Sequence, residues 1–427
     1  MSPLTTMTQT NTAPHSQHRT MLVVVAFALA LGISSKIYEE LYMPYGPALN
    51  IPVSDRPVYS PVDRSNKSLQ MSSGKLRKIY ERHDDAQSPK LLKGPETVIF
   101  DPKGTMYVLT EDSKLVSLTD FQEEELSSSV VTTAKVTLAM DLGNGRPLGG
   151  AFASDGTLYF ADSILGLARV NLNKKQSRKV EIVASSVQLQ DGSMSKILFA
   201  DDADIGPKTG YVYFSDATDI VSPRMIKEMS WDVMHASKID FARGKRTGRL
   251  LRYDPKTDEV VVLASGLWFA NGIAVDRDET FVMISETFTA RQMIYYLEGP
   301  KAGTMEPLLN STTHPDGAFC SKTEDIPYCY AALPTAQPLA VAIMFSLPSF
   351  IERPLRSLLM SMHPKLAPPT KPYGGFIEID VSDRSIKRVI QDPSGQDIRA
   401  ITGVTVHEDK IYLGSLENDF IGVYDLN

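Results

Sequence analysis

From about Gly74 to the C-terminus the chain alternates apolar and polar residues in short runs, each closed by turn residues. Such runs predict short antiparallel strands joined by tight turns. Residues 105–109 follow the turn Pro102-Lys103-Gly104, residues 157–161 follow Asp155-Gly156, and residues 211–215 follow Lys208-Thr209-Gly210. Each run reads as the second strand of a hairpin. Further strands are expected at 114–118, 167–171, 249–254 and 293–297. The pattern repeats: equivalent strand starts at Glu96, Gly149 and Asp202 are 53 residues apart, and those at Asn271 and Asp316 are 45 apart. Propeller blades of four strands recur at ~40–50 residues. The expected fold is therefore all-β, a six-bladed β-propeller over residues 74–427, with a last unit at 401–426. Residues 75–80 form the natural strand to complete that unit and close the ring.

Two stretches interrupt the period. Residues 221–246 read as a helical, basic insertion, and residues 333–373 lengthen the fifth unit. In the second, 339–347 is apolar and 350–360 alternates basic and apolar positions in a helical manner, while Pro334, Pro338, Pro348 and Pro354 restrict helices to short pieces. This insertion reads as a packed lid over the channel or as an amphipathic segment lying on a membrane, the lid suiting a long insertion better.

The N-terminal pattern is different. Residues 1–19 form a polar tail, and Met21 to Ile33 is an unbroken apolar run within a signal anchor at 20–35; a cleaved signal peptide is the alternative. His15, His18 and Arg19 before the run favour a cytoplasmic N-terminus. Residues 36–73, rich in Pro, Ser and Tyr, read as a linker. The propeller is then expected in the lumen or outside the cell, on the endoplasmic reticulum or plasma membrane. The sequons at Asn66 and Asn310 fit that placement.

Composition narrows the function. With 42% hydrophobic residues the 427-residue chain can bury a large core, and its net charge of −7 argues against a nucleic-acid partner. Cys320 and Cys329 are too few for a disulfide scaffold or a zinc site and read as half-buried thiols.

The chemistry is expected where inner strands begin, because those ends converge on a propeller's axis. Glu96, Asp201, Asn271 and Asp316 each stand before or at the start of such a strand. They offer only oxygen donors, the preference of calcium. Taken singly, Asn271-Gly272 and Asp316-Gly317 are common turn dipeptides, and the cluster Asp201, Asp202 and Asp204 leaves open which carboxylate faces the axis. His314, just before the last ligand candidate, is the candidate general base; a lone His before Pro is otherwise structural. His235 in the first insertion is a weaker candidate for the channel mouth.

A series of motifs then carries a family resemblance: Gly94-Pro95-Glu96, Gly145-Arg146-Pro147-Leu148-Gly149, Tyr159-Phe160-Ala161-Asp162, Tyr211-Val212-Tyr213-Phe214-Ser215-Asp216, Gly248-Arg249-Leu250-Leu251-Arg252-Tyr253-Asp254, Phe269-Ala270-Asn271-Gly272 and Ser285-Glu286-Thr287. In this order they resemble the strictosidine synthase-like family, nearest its adipocyte plasma membrane-associated branch. The resemblance implies a six-bladed propeller, often on one membrane anchor, related to calcium-dependent lactonases and paraoxonases. It departs from the family at Asp201-Asp202, where relatives have Asn-Asp, and at Pro315-Asp316-Gly317, where they have Pro-Asp-Asn. The expected activity is calcium-dependent hydrolysis of a small ester or lactone. Alternatives are a non-catalytic calcium-stabilised propeller, or condensation of an amine with an aldehyde. The glutamate needed for condensation has no matching motif, Glu324 lying in a turn-like stretch.

Overall fold

The computed structural model describes residues 48–60, 70–71, 75–83, 90–126, 129–173, 179–225, 230–324, 327–336, 339–361 and 372–426. The candidate anchor, the polar tail and the Asn66 sequon lie outside the described residues. The chain is mostly β. Four separate four-stranded sheets begin with the strands Pro147–Phe152, Ala200–Ile205, Ala270–Val275 and Ala318–Cys320. An eight-stranded sheet contains two further sets, led by Thr97–Phe100 and Ile401–His407. They are joined because Leu76–Glu81 pairs antiparallel with Phe420–Asp425 and parallel with Ser129–Asp141. The N-terminal strand thus completes the C-terminal sheet, as its sequence position suggested.

The turn chemistry produces these hairpins locally. Asp155 Oδ1 accepts the Thr157 amide at 2.8 Å and Gly156 takes φ 83°, so the chain reverses into Thr157–Asp162, buried along its whole length. Side chains such as Leu167, Phe214 and Leu251 fill the space between neighbouring sheets, each worth roughly 1.5–3 kcal/mol when fully buried.

The sheets close through their first strands. Thr97 Oγ1 donates to Leu148 O at 2.6 Å, the Asp202 carboxylate accepts Ile273 N at 2.9 Å, and Gly317 N donates to Thr402 O at 2.9 Å. Elsewhere the approach is too close for a side chain. A Cβ on Gly149 would stand 2.0 Å from Asp202 Oδ1, and one on Gly403 2.2 Å from Glu96 O.

A cap covers one end of this ring. It is built from the helices Val233–Arg243, Leu339–Ser346 and Ser349–Ser361 together with residues 48–60. Asp232 caps the first helix by accepting the His235 amide at 2.9 Å, and left-handed Gly244 ends it. His235 is thereby a first-turn residue of a cap helix. Both insertions are helical as expected, although Pro354 lies inside the third helix. Part of the stretch read as linker belongs to the cap: Ala48 and Ile51 are buried there with Trp268, Phe269, Met344 and Phe345.

The cysteines correct the sequence reading. Cys320 and Cys329 face each other across adjacent strands and form a disulfide, both nearly fully buried. Direct cross-strand register, with Cα atoms 4.0 Å apart, outweighs the conformational preference that favoured free thiols.

Candidate axial acid site

Where the first strands meet, one backbone device recurs. Gly94, Phe269 and Ala400 adopt positive φ (46°, 61° and 47°), each two residues before Glu96, Asn271 and Thr402. A left-handed residue without glycine is uncommon and concentrates at functional sites. The strands then bulge: pairing shifts between Pro147 and Gly150, Ala200 and Ala203, Ala270 and Ile273, and Ile401 and Gly403. The residues inside these shifts include Leu148, Asp201, Asn271 and Thr402. A bulge re-aims side chains out of the ladder, here toward the shared axis.

Electrostatics shows which predicted residues come together. Burial raises the Glu96 carboxyl to about 7, against the opposing pull of Arg146. Asp201 is pushed well above the usual carboxylate range by burial and then by repulsion from Asp316, Glu96 and Asp202. Asp316 rises likewise through burial and repulsion from Glu96, partly countered by a hydrogen bond from the Asn271 side chain. Glu96, Asp201 and Asp316 are therefore within electrostatic range of one another, and Asn271 joins them through Asp316. Asp202 plays another part, accepting Ala203 N of its own strand at 2.8 Å and Ile273 N of the neighbouring sheet at 2.9 Å. Asp201 thus interacts with the acid ring and Asp202 serves as strand-to-strand mortar.

Two members escaped the sequence reading. Arg146, only 3% exposed, brings Nη2 to 3.4 Å from Glu96 Oε2. Thr402 contributes a buried hydroxyl without a hydrogen-bond partner. Its place immediately before Gly403, matching Asn271-Gly272 and Asp316-Gly317, was the available signal.

Among the described residues no group of three or more His, Cys, Asp or Glu stands close enough to hold a metal ion. The donor chemistry nonetheless fits a hard cation. The ring holds three desolvated carboxylates and an amide, and Glu96 Oε2 is buried with no hydrogen-bond partner.

His314 is buried beneath the cap. Its Nδ1–H donates to Thr287 O at 2.8 Å, and Nε2 accepts the Tyr59 hydroxyl at 3.1 Å. Burial lowers its pKa, so the ring is neutral near pH 7. Phe241 and Phe288 stand edge-on to it. Glu324 lies apart, its side chain 88% exposed and 3.3 Å from Arg277. A polar hollow of about 810 Å³ opens beside the first and last sheets, with Gly94, Glu111 and Arg399 on its wall.

Sheets closed through their first strands, each presenting residues to one axis, define a propeller fold with an axial polar site. Residues 201–300 match the strictosidine synthase family model. Protein strictosidine synthase-like 3 of Arabidopsis thaliana is 27% identical over 78% of this chain and 83% of its own. Adipocyte plasma membrane-associated protein of Mus musculus is 25% identical, covering 91% and 90%. A solved structure assigned to a gluconolactonase family superposes with a TM-score of 0.50 at 11% identity, covering 87% of this chain and 97% of that one. The resemblance carried by the motifs therefore holds, and the fold is a strictosidine synthase-like propeller.

Proposed function

We propose that the chain is a six-bladed propeller that hydrolyses a small ester or lactone at its axial ring, with calcium held by Glu96, Asp201, Asn271 and Asp316. One observation carries this reading: three desolvated carboxylates and an amide gather at the starts of the inner strands, and Glu96 Oε2 accepts no hydrogen bond, its one ion-pair neighbour Arg146 standing at 3.4 Å. Such a cluster opposes folding unless a cation offsets its charge, and all its donors are oxygens, which calcium prefers. Bound there, calcium would supply Lewis-acid polarisation of a substrate carbonyl.

The remaining work falls to the chain's own side chains. Asn271 orients the Asp316 carboxylate through its hydrogen bond. Without a cation Asp201 and Asp316 hold protons more tightly than ordinary carboxylates, so a cation bound there would displace those protons and keep both ionised as ligands. Arg146 lies beside Glu96, where a guanidinium stabilises developing negative charge. Phe269 and Trp268, close before Asn271 in the chain, pack with Phe199 in the apolar cluster under the cap, and an apolar surrounding of this kind suits an aryl or alkyl substituent on the substrate. His314 reaches such a reaction as a base only if the Tyr59 hydroxyl leaves its Nε2.

A second reading is a non-catalytic binding propeller in which calcium at the same carboxylates only stabilises the fold. An amine–aldehyde condensation has less support, since Glu324 is exposed and ion-paired. The disulfide and the exposed Asn310 sequon support a secretory-pathway location, with the propeller luminal or extracellular. Among the described residues no helix is long and apolar enough to cross a membrane, so anchoring rests on the apolar run at 21–33.

Turnover of aryl esters and lactones by the full chain, with calcium and after chelation, tests the reading. Calcium-dependent hydrolysis that Asn271→Ala abolishes while the fold persists is the expected result. Calcium-dependent stability without turnover of any ester or lactone would replace it by the second reading.

A further inference from the structure

The starts of the inner strands repeat a two-residue pattern around the ring, and the second residue of each pair turns sideways to the next sheet. Thr97 Oγ1 donates to Leu148 O at 2.6 Å. Where the second residue is glycine, an added Cβ would press on the neighbouring strand: that of Gly272 would stand 2.4 Å from Asp316 O, that of Gly317 2.5 Å from Thr402 O, and that of Gly403 2.2 Å from Glu96 O. In each case the oxygen met belongs to the first residue of the next pair. Gly149 abuts Asp202, and Asp202 accepts Ile273 N, which carries the series through the other two sheets. The first residues therefore follow one another round the axis in the order Glu96, Leu148, Asp201, Asn271, Asp316 and Thr402, with Glu96 next again. Thr402 stands between two carboxylates.

Its hydroxyl does not use either of them. Thr402 is 4% exposed, and Oγ1 is buried without a hydrogen-bond partner. Three residues on in the same strand, Thr405 behaves as buried threonines ordinarily do, its Oγ1 donating to Val98 O at 2.7 Å. An unsatisfied buried hydroxyl opposes folding, and the next position in the ring repeats the fault: Glu96 Oε2 accepts no hydrogen bond, with Arg146 Nη2 at 3.4 Å. A bond between the two neighbours would satisfy both, yet neither makes it. A hydroxyl and a carboxylate oxygen that both keep a lone pair free are matched by a cation. We propose that Thr402 is a further contact of the axial cation site, its hydroxyl oxygen serving the same calcium as Glu96, Asp201, Asn271 and Asp316. The assignment rests on the axial-cation reading above and extends it to the sheet led by Ile401–His407. Calcium takes about 6–8 oxygens, more than four side chains supply through one oxygen each, and a neutral hydroxyl adds to the set without adding charge. Leu148, on the other flank of Glu96, packs instead with Trp268 and Phe269 under the cap. The oxygen donors thus run from Asp201 round to Glu96, and the ring's apolar position adjoins the apolar cluster.

The test pairs calcium calorimetry with thermal unfolding of the full chain as wild type, Thr402→Val and Thr402→Ser. Valine keeps the branched shape and removes the hydroxyl, while serine keeps the hydroxyl. In chelator, Thr402→Val is expected to melt at or above the wild type, because it removes a buried polar group that no protein atom satisfies. Its calcium affinity is expected to fall about tenfold, the lower end of what losing a metal site's supporting groups costs, so that calcium raises its melting temperature less than that of the wild type. Thr402→Ser is expected to keep the wild-type affinity. A wild type that binds calcium beside a Thr402→Val that binds it equally well overturns the proposal and leaves the four-residue site standing. A Thr402→Val destabilised by the same amount with and without calcium, or a Thr402→Ser as weak as Thr402→Val, also overturns it and reduces Thr402 to packing. A wild type that takes up no calcium removes the axial-cation reading together with this extension of it.

Discussion

Arg356→Ala should loosen the cap more than any single apolar truncation within it. In the folded chain the guanidinium is fully buried and serves Glu352, Ala242 O and Leu49 O. Alanine would leave the Glu352 carboxylate buried without its cation, and Glu352 Oε2 already lacks a partner. Breaking one side of a buried ion pair costs about 3–5 kcal/mol, and two buried carbonyls left without donors add to that. The loss should concentrate in the elements that Arg356 joins. Hydrogen exchange should therefore rise in Val233–Arg243 and at residues 48–56, while the inner strand Ala270–Val275 stays protected. Replacing both partners, as Glu352→Leu with Arg356→Leu, removes the stranded charge and should cost less than Arg356→Ala alone. A single variant that exchanges like the wild type, or a double variant worse than the single, would refute this role of Arg356.

Other expectations follow from the same packing. Burial raises the Asp240 carboxyl to about 7, despite its hydrogen bond from Thr218 and the nearby Arg243. The native state then binds this proton more tightly than the unfolded chain, so its contribution is fully present below about pH 4 and is lost as pH rises toward 7, a slope worth about 4 kcal/mol. Chemical denaturation of Asp240→Asn across that range should show this part of the slope removed; an unchanged difference between pH 4 and pH 7 would contradict it. Tyr59→Phe strands His314 Nε2 and should cost about 1–3 kcal/mol, measurable as a lowered denaturant midpoint with faster proteolysis within residues 48–60. Reducing the Cys320–Cys329 disulfide should cost about 2–4 kcal/mol, seen as a lower melting temperature in the presence of reductant.

The strand repeat was legible because turn residues and period-two runs are local properties, and residues 75–80 were recognisable as the closing strand for the same reason. Glu96, Asn271 and Asp316 were singled out because each occupies the same place in its repeat, whereas the repeat spacing alone could not choose between Asp201 and Asp202. Arg146 was not, since it precedes a proline in a repeat whose inner strand offers no acid, and its partner Glu96 lies 50 residues away. Residues 48–60 were missed for a different reason. They lack periodicity because they gain their structure from the cap they cover rather than from a ladder of their own. The helix Ser349–Ser361, whose buried face holds Glu352 and Arg356, showed the correct amphipathic period in sequence. Periodicity reports that a helix has two faces; which face turns inward was settled by the Arg356 clasp.

Calorimetric titration of calcium into the chelator-treated full chain, beside Asn271→Ala and Asp316→Ala, bears most directly on the axial site. The account predicts saturable binding at a single site in the wild type, lost in both variants while their strand content is kept. A folded wild type that takes up no calcium would contradict it, leaving the Arg146–Glu96 pair as the ring's own charge compensation.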